Sequence, residues 1–251
     1  MEPHCKFGNI TSKNKDNIVP RAKEIASGRF YYGKGETPMK KMILCFGDSN
    51  TWGYNAETDS RFDEETRWTG LLANLLGSSY RVIEEGLPGR TSVFEDPLFE
   101  GLSGFNYIYP CMMSHSPLDM VIIMLGTNDT KQRFGVTSYN IAQGITRLAV
   151  KAKGIAAGRN GKTPEVLVVC PAPIGPQYID SKVGSAMGLS CSEKSEGLSS
   201  HLAVLLEGSG IHYADARDQV VMNEIDYMHL DAEGHRKMAA FMFHQVKRIV
   251  S

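Results

Sequence analysis

A chain of 251 residues, 42% apolar and 22% charged, can build one large α/β domain and bury a full core without disulfide or metal staples. A formal net charge of −1 gives no electrostatic case for nucleic acid or an anionic membrane surface as partner. No run approaches the roughly 20 apolar residues of a membrane span, and the first residues lack the apolar stretch of a signal peptide, so a cytoplasmic location is the expectation.

Charge is unevenly spread. Residues 1–41 hold nine Lys/Arg against four Asp/Glu and show no steady periodicity. They read as an N-terminal extension or surface arm preceding a domain at 42–251. Met39 and Met42 could each start a complete protein, and Phe30, Tyr31 and Tyr32 could dock on the domain or on a neighbouring subunit. The five cysteines (Cys5, Cys45, Cys111, Cys170, Cys191) are odd in number and scattered, without CxxC or Cys/His spacing. They read as reduced thiols, and neither a metal nor a cofactor is expected.

From Met42 the pattern becomes regular. Residues 42–46 (MILCF) form a short apolar run ending at Gly47, as a buried parallel strand would. Trp68, Leu71, Leu72, Leu75 and Leu76 recur at helical spacing, with Gly77 as a stop. Residues 80–86 (YRVIEEG) and 120–126 (MVIIMLG) are the next strand candidates. Thr137 or Ser138 can cap a helix carrying Ile141, Ile145, Leu148 and Ala152. A fourth strand follows at 165–171, a helix around 202–206, a fifth strand at 211–216, and a closing helix with Met238, Phe241, Val246 and Val250. Strands alternating with helices predict a three-layer α/β/α domain around a parallel sheet of about five strands. Ligands of such sheets bind beyond the C-terminal strand ends. Polar segments directly follow three of these strands, at 47–50, 86–90 and 126–129, and should meet on one rim.

Ser49 has two readings. In Asp48-Ser49-Asn50-Thr51 it can cap a helix, or it can be a nucleophile exposed on a strand-to-helix turn. A serine nucleophile needs a base, an orienter for that base, and donors for the oxyanion. Of seven histidines, His229 stands apart, because Asp226 lies three residues before it, after the last strand. That spacing can set a carboxylate against the imidazole. His235 reads as structural and His244 as solvent-facing. Asn128 offers an amide donor and Gly89 a backbone N–H, although each also fits an ordinary turn. Trp52 and Trp68 could wall an apolar pocket, with Trp68 better suited to the core.

These segments resemble the SGNH hydrolases, also called GDSL esterases, from about Met42 to the C-terminus. The blocks are Phe46-Gly47-Asp48-Ser49-Asn50-Thr51-Trp52-Gly53, Leu125-Gly126-Thr127-Asn128-Asp129 and Asp226-Tyr227-Met228-His229-Leu230. Asn50 stands where the nickname sequence has Leu. The remaining block, Glu84-Glu85-Gly86-Leu87-Pro88-Gly89-Arg90-Thr91, lacks the commoner Asn before its glycine. With Arg67-Trp68-Thr69-Gly70 it is similar to the arylesterase/acyltransferase branch. The resemblance implies a flavodoxin-like fold and a Ser49–His229–Asp226 triad. It also implies an oxyanion hole from Ser49, Gly89 and Asn128, with Asp48, Asn50 and Trp52 near the substrate. Short acyl and aryl esters would be the substrates, water or an alcohol the acceptor, and a homo-oligomer the assembly. Three alternatives stand beside this reading: a deacetylase of acetylated sugars, a non-catalytic ester- or carbohydrate-binding module, and a metal-dependent phosphoesterase using Asp48, Asp129 and His229.

Overall fold

The computed structural model describes residues 39–251; of the extension read over residues 1–41, residues 1–38, with the aromatic patch, lie outside the described residues, and Lys41 already opens the first strand. The sheet is built from β1 (Lys41–Gly47), β4 (Tyr80–Gly86), β5 (Met120–Met124), β6 (Glu165–Cys170) and β7 (His212–Asp215). Every pairing in it is parallel, in the order β4-β1-β5-β6-β7. A further two-residue pair, β2 (Tyr54–Asn55) with β3 (Ser60–Arg61), is antiparallel.

Alternation along the strands divides the core into two layers. Leu44 and Phe46 of β1, Val121 and Ile123 of β5, and Val166 and Val168 of β6 point to one face. There they meet α3 (Gly104–Ser114), α4 (Ser138–Lys153) and α7 (Leu198–Leu206). Ile43 and Cys45, Ile122, Leu167 and Val169 point to the other face. Trp68, Leu72 and Leu76 of α2 (Trp68–Leu76) and Met238, Met242 and Val246 of α8 (Ala232–Val250) cover it. Strands with both faces covered in this way need continuous apolar runs, as residues 42–46 and 120–124 supply. The domain is therefore the expected α/β sandwich of three layers.

Chain order reverses at β1. The chain crosses from β1 to β4 on one side and later returns to place β5 on the other, which is the flavodoxin-like order. The switch point thus lies between the C-terminal ends of β1 and β5, where Ser49 and Asn128 sit. α3 was not legible from periodicity, because Pro110 interrupts its pattern. Its buried face is Ile108, Cys111 and Met112. Cys45, Cys111, Cys170 and Cys191 are all buried and free. Burial pushes the Cys170 thiol up to about 12 and raises that of Cys45 further, so both are protonated core residues.

Candidate active site

β1 ends at Gly47, and the chain turns at once into the one-turn helix α1 (Ser49–Trp52). Two glycines allow α1 to sit this low on the sheet. A Cβ at Gly47 would collide with the Thr51 side chain and press on the Met124 carbonyl. One at Gly86 would collide with the Trp52 backbone nitrogen. The cap of α1 is Asp48, whose side chain accepts the Asn50 N–H at 3.0 Å. The Ser49 hydroxyl is thereby released from the capping role that the sequence left open to it. It lies 2.9 Å from His229 Nε2.

His229 and Asp226 occupy the loop between β7 and α8. His229 Nδ1 is 2.7 Å from Asp226 Oδ2. An ionised carboxylate only accepts, so Nδ1 carries the proton and Nε2 is left as the acceptor for the Ser49 hydroxyl. Asp226 is fully buried. Burial works against its charge, but His229, the Met228 N–H and Asn223 outweigh that effect and hold the carboxyl below the usual carboxylate range. Asp226 Oδ1 accepts from Asn223 Nδ2 (3.0 Å) and from the Met228 and His229 N–H groups (3.2 and 3.1 Å). Tyr227 between them has φ +60°, a left-handed conformation unusual for a tyrosine.

The rim also carries N–H groups without a protein acceptor among the described residues. Asn128 is 4% exposed, and its Nδ2 is buried with no protein hydrogen-bond partner among the described residues. The turn around it is made by backbone, Thr130 N–H to the Thr127 carbonyl at 3.3 Å, so the Asn128 amide is not needed for an Asx-turn. Gly89 adopts φ +86°, open to glycine at little cost. Its neighbour Arg90 is buried, and Arg90 Nη1 donates to the Gly47 carbonyl at 3.0 Å and to that of Glu85. The Leu87 N–H also reaches the Gly47 carbonyl, at 3.1 Å, so the Gly89 turn is fastened beside Ser49. Among the described residues, the Ser49 and Gly89 N–H groups have no protein acceptor.

Trp68 and His235 lie in the core, as the sequence suggests, while Asp48 and Asn50 fall differently from expectation. Asp48 and Asn50, read as substrate contacts, have their side chains engaged by protein. Asp48 caps α1, and Asn50 bonds the Met228 carbonyl and the Leu230 N–H. Trp52 is half-buried, with one face of its indole under the Arg61 guanidinium, 5.2 Å from the ring centre. Trp68 lies wholly in the core, its Nε1 donating to the Asn50 carbonyl at 3.0 Å. His235 is buried; Nδ1 accepts the Trp68 N–H, and burial pushes its pKa down to about 3. It is a neutral structural group.

Sequence reasoning missed Tyr54, whose ring lies 4.5 Å from that of His229, and Asn223 behind Asp226. Tyr54 left no signal in the chain. Asn223 did, since Asn223, Asp226 and His229 follow at steps of three. Asp48, Asp129 and His229 do not gather as ligands. Among the described residues the one metal-type grouping is Glu85, Cys111 and His115, within 4.8 Å, and no triad residue belongs to it. Glu85 Oε1 is already hydrogen-bonded to His115 Nε2 at 2.8 Å. No described helix is long and apolar enough to cross a membrane.

The family model described as GDSL-like Lipase/Acylhydrolase family matches residues 45–237. Among solved structures, the chain is similar to the native aryl esterase of M. smegmatis. The two are 34% identical, covering 84% of this chain and 100% of that one, with a TM-score of 0.76. It is also similar to Est24, a carbohydrate acetylesterase from Sinorhizobium meliloti, at 38% identity, covering 83% and 99%, with a TM-score of 0.76. A further carbohydrate acetylesterase family member from Sinorhizobium meliloti is 31% identical, covering 84% and 99%, with a TM-score of 0.75. No curated protein sequence matches.

Proposed function

Because the chain belongs to the GDSL-like lipase/acylhydrolase family and is an SGNH-type esterase, we propose that it hydrolyses short-chain, acetyl-type and aryl esters through an acyl-enzyme on Ser49 and also passes the acyl group to alcohols. The observation that carries this reading is the continuous chain Asp226–His229–Ser49, with the unpartnered Asn128 amide on the same rim.

His229 Nε2 takes the Ser49 proton as Oγ attacks the ester carbonyl, and Asp226 balances the charge on the imidazolium. The oxyanion lies against the Ser49 and Gly89 N–H groups and Asn128 Nδ2, a reading supported by their lack of protein acceptors among the described residues. As the tetrahedral intermediate collapses, His229 returns its proton to the leaving alkoxide or phenoxide. Water, deprotonated by His229, then attacks the acyl-enzyme and releases the acid. An alcohol entering in place of water gives a new ester by the same steps.

The substrate class is supported by the relatives, an aryl esterase and a carbohydrate acetylesterase. A panel of aryl esters of increasing acyl length, acetylated sugars and acetyl-xylan, each run with and without added alcohol, tests it. Fast turnover of aryl acetates, with the alcohol's ester appearing at the expense of free acid, is the expected result. The similarity to Est24 favours one second reading, deacetylation of carbohydrates. Preference for the acetylated sugars without ester formation would select it.

A further inference from the structure

The residue after Ser49 has its polar groups turned to protein. All four hydrogen-bonding groups of Asn50 are engaged by protein. Its N–H is held by the Asp48 side chain at 3.0 Å, and its carbonyl accepts from Trp68 Nε1 at 3.0 Å. Its Nδ2 donates to the Met228 carbonyl at 3.0 Å, and its Oδ1 accepts the Leu230 N–H at 3.0 Å. The last two bonds grip the residues immediately before and after His229. The side chain is thus a two-point clasp between the nucleophile's own helix and the loop of the catalytic base, 180 residues away in the chain.

That loop needs such a clasp. It holds Tyr227 at positive φ, a conformation that persists only where the surroundings over-determine it. On its other side Asn223 Nδ2 holds the His229 carbonyl (2.9 Å) and Asp226 Oδ1, and the Gly175 N–H holds the Tyr227 carbonyl (2.8 Å). The Asn223 bonds set the loop's internal shape, and the Gly175 bond ties it to the segment after β6. Among the hydrogen bonds of the described residues, only those of Asn50 and the Ser49–His229 contact itself join the loop to α1.

Resting on the esterase reading above, we propose that Asn50 is a positioning residue that fixes the distance and angle between His229 Nε2 and Ser49 Oγ and makes no contact with substrate. Its effect belongs in kcat, since the base must be aligned before Ser49 attacks, and KM for a small aryl ester is left alone.

The test is Asn50→Ala, with Asn50→Leu as a second variant should the first unfold, read in two ways. Steady-state hydrolysis of an aryl acetate should show kcat reduced by roughly 10- to 100-fold with KM unchanged. Proton NMR of the free enzyme should show a far-downfield His229 Nδ1–H signal in the wild type and its loss or broadening in the variant. A raised KM with kcat retained would make Asn50 a substrate contact and overturn the proposal. Unchanged kcat and an unchanged imidazole signal would do the same, even if the variant melted at a lower temperature. If the wild type hydrolysed no ester, the functional reading would fail, and the NMR signal would still decide whether the clasp orders His229.

Discussion

At the scale of single side chains, Asn128 stands out because its buried amide lies on the rim beyond β5 without a protein partner among the described residues. A buried amide N–H₂ lacking a partner costs about 1–3 kcal/mol, and Asn128 Nδ2 is in that position. Asn128→Ala removes this cost together with the proposed oxyanion donor. Its kcat on an aryl acetate should fall about 10²- to 10³-fold, while Tm holds or rises. Steady-state kinetics beside a thermal melt check both halves, and a large loss of Tm with kcat retained would return Asn128 to a structural role. Ser49 shows the limit of reading at this scale. Asp48 and Ser49 are both good caps, so the local sequence could not say which of them caps α1. The answer lies in the Asp48 bond to the Asn50 N–H, and in an imidazole contributed from far along the chain. The same long reach hid the contacts of Asn50 and Tyr54, whose partners Met228, Leu230 and His229 are remote in sequence.

Among the elements, α1 depends on how closely it can lie against the strand ends. Gly86 faces the backbone of Trp52, which cannot rotate away as a side chain would. Gly86→Ala should therefore push α1 off β4, lower stability by about 1–3 kcal/mol, and reduce kcat by moving Ser49 from His229. Chemical denaturation and kinetics on one preparation test this; wild-type values in both would show that the approach can relax. Legibility followed burial and length. β1, β5 and β6 are covered on both faces and stood out as apolar runs, and α2, α4 and α8 carried clear helical spacing. The two-residue pair β2–β3 is too short to leave a period, and the short helices α5 (Gly184–Met187) and α6 (Cys191–Glu196) are too brief to show helical spacing.

Across the whole molecule, the reversal of chain order at β1 is what brings the rim together, and it also buries charge there. Asp129 is fully buried behind Ser92, and burial pushes its carboxyl up to about 6; the Ser92 hydrogen bonds offset only part of the rise. With a raised folded-state pKa, the native protein binds more protons than the unfolded chain between about pH 4 and 6. This group's contribution to stability therefore falls as pH rises through that window, and the cost is fully present above it. Asp129→Asn should gain Tm relative to wild type between pH 4.5 and 7.5, and a difference independent of pH would contradict the assignment. Fold and rim were legible because strand ends carry the polar segments; the packing that selects an acyl group was not, since it depends on side chains from several loops. The central claim, that Ser49 carries the acyl group, has one direct measurement: intact-protein mass and aryl acetate turnover for wild type and Ser49→Ala after treatment with a fluorophosphonate. A single adduct on Ser49 with loss of turnover in wild type, against no adduct and no turnover in folded Ser49→Ala, is the predicted result; a folded Ser49→Ala enzyme that still hydrolyses the ester at the wild-type rate would contradict it.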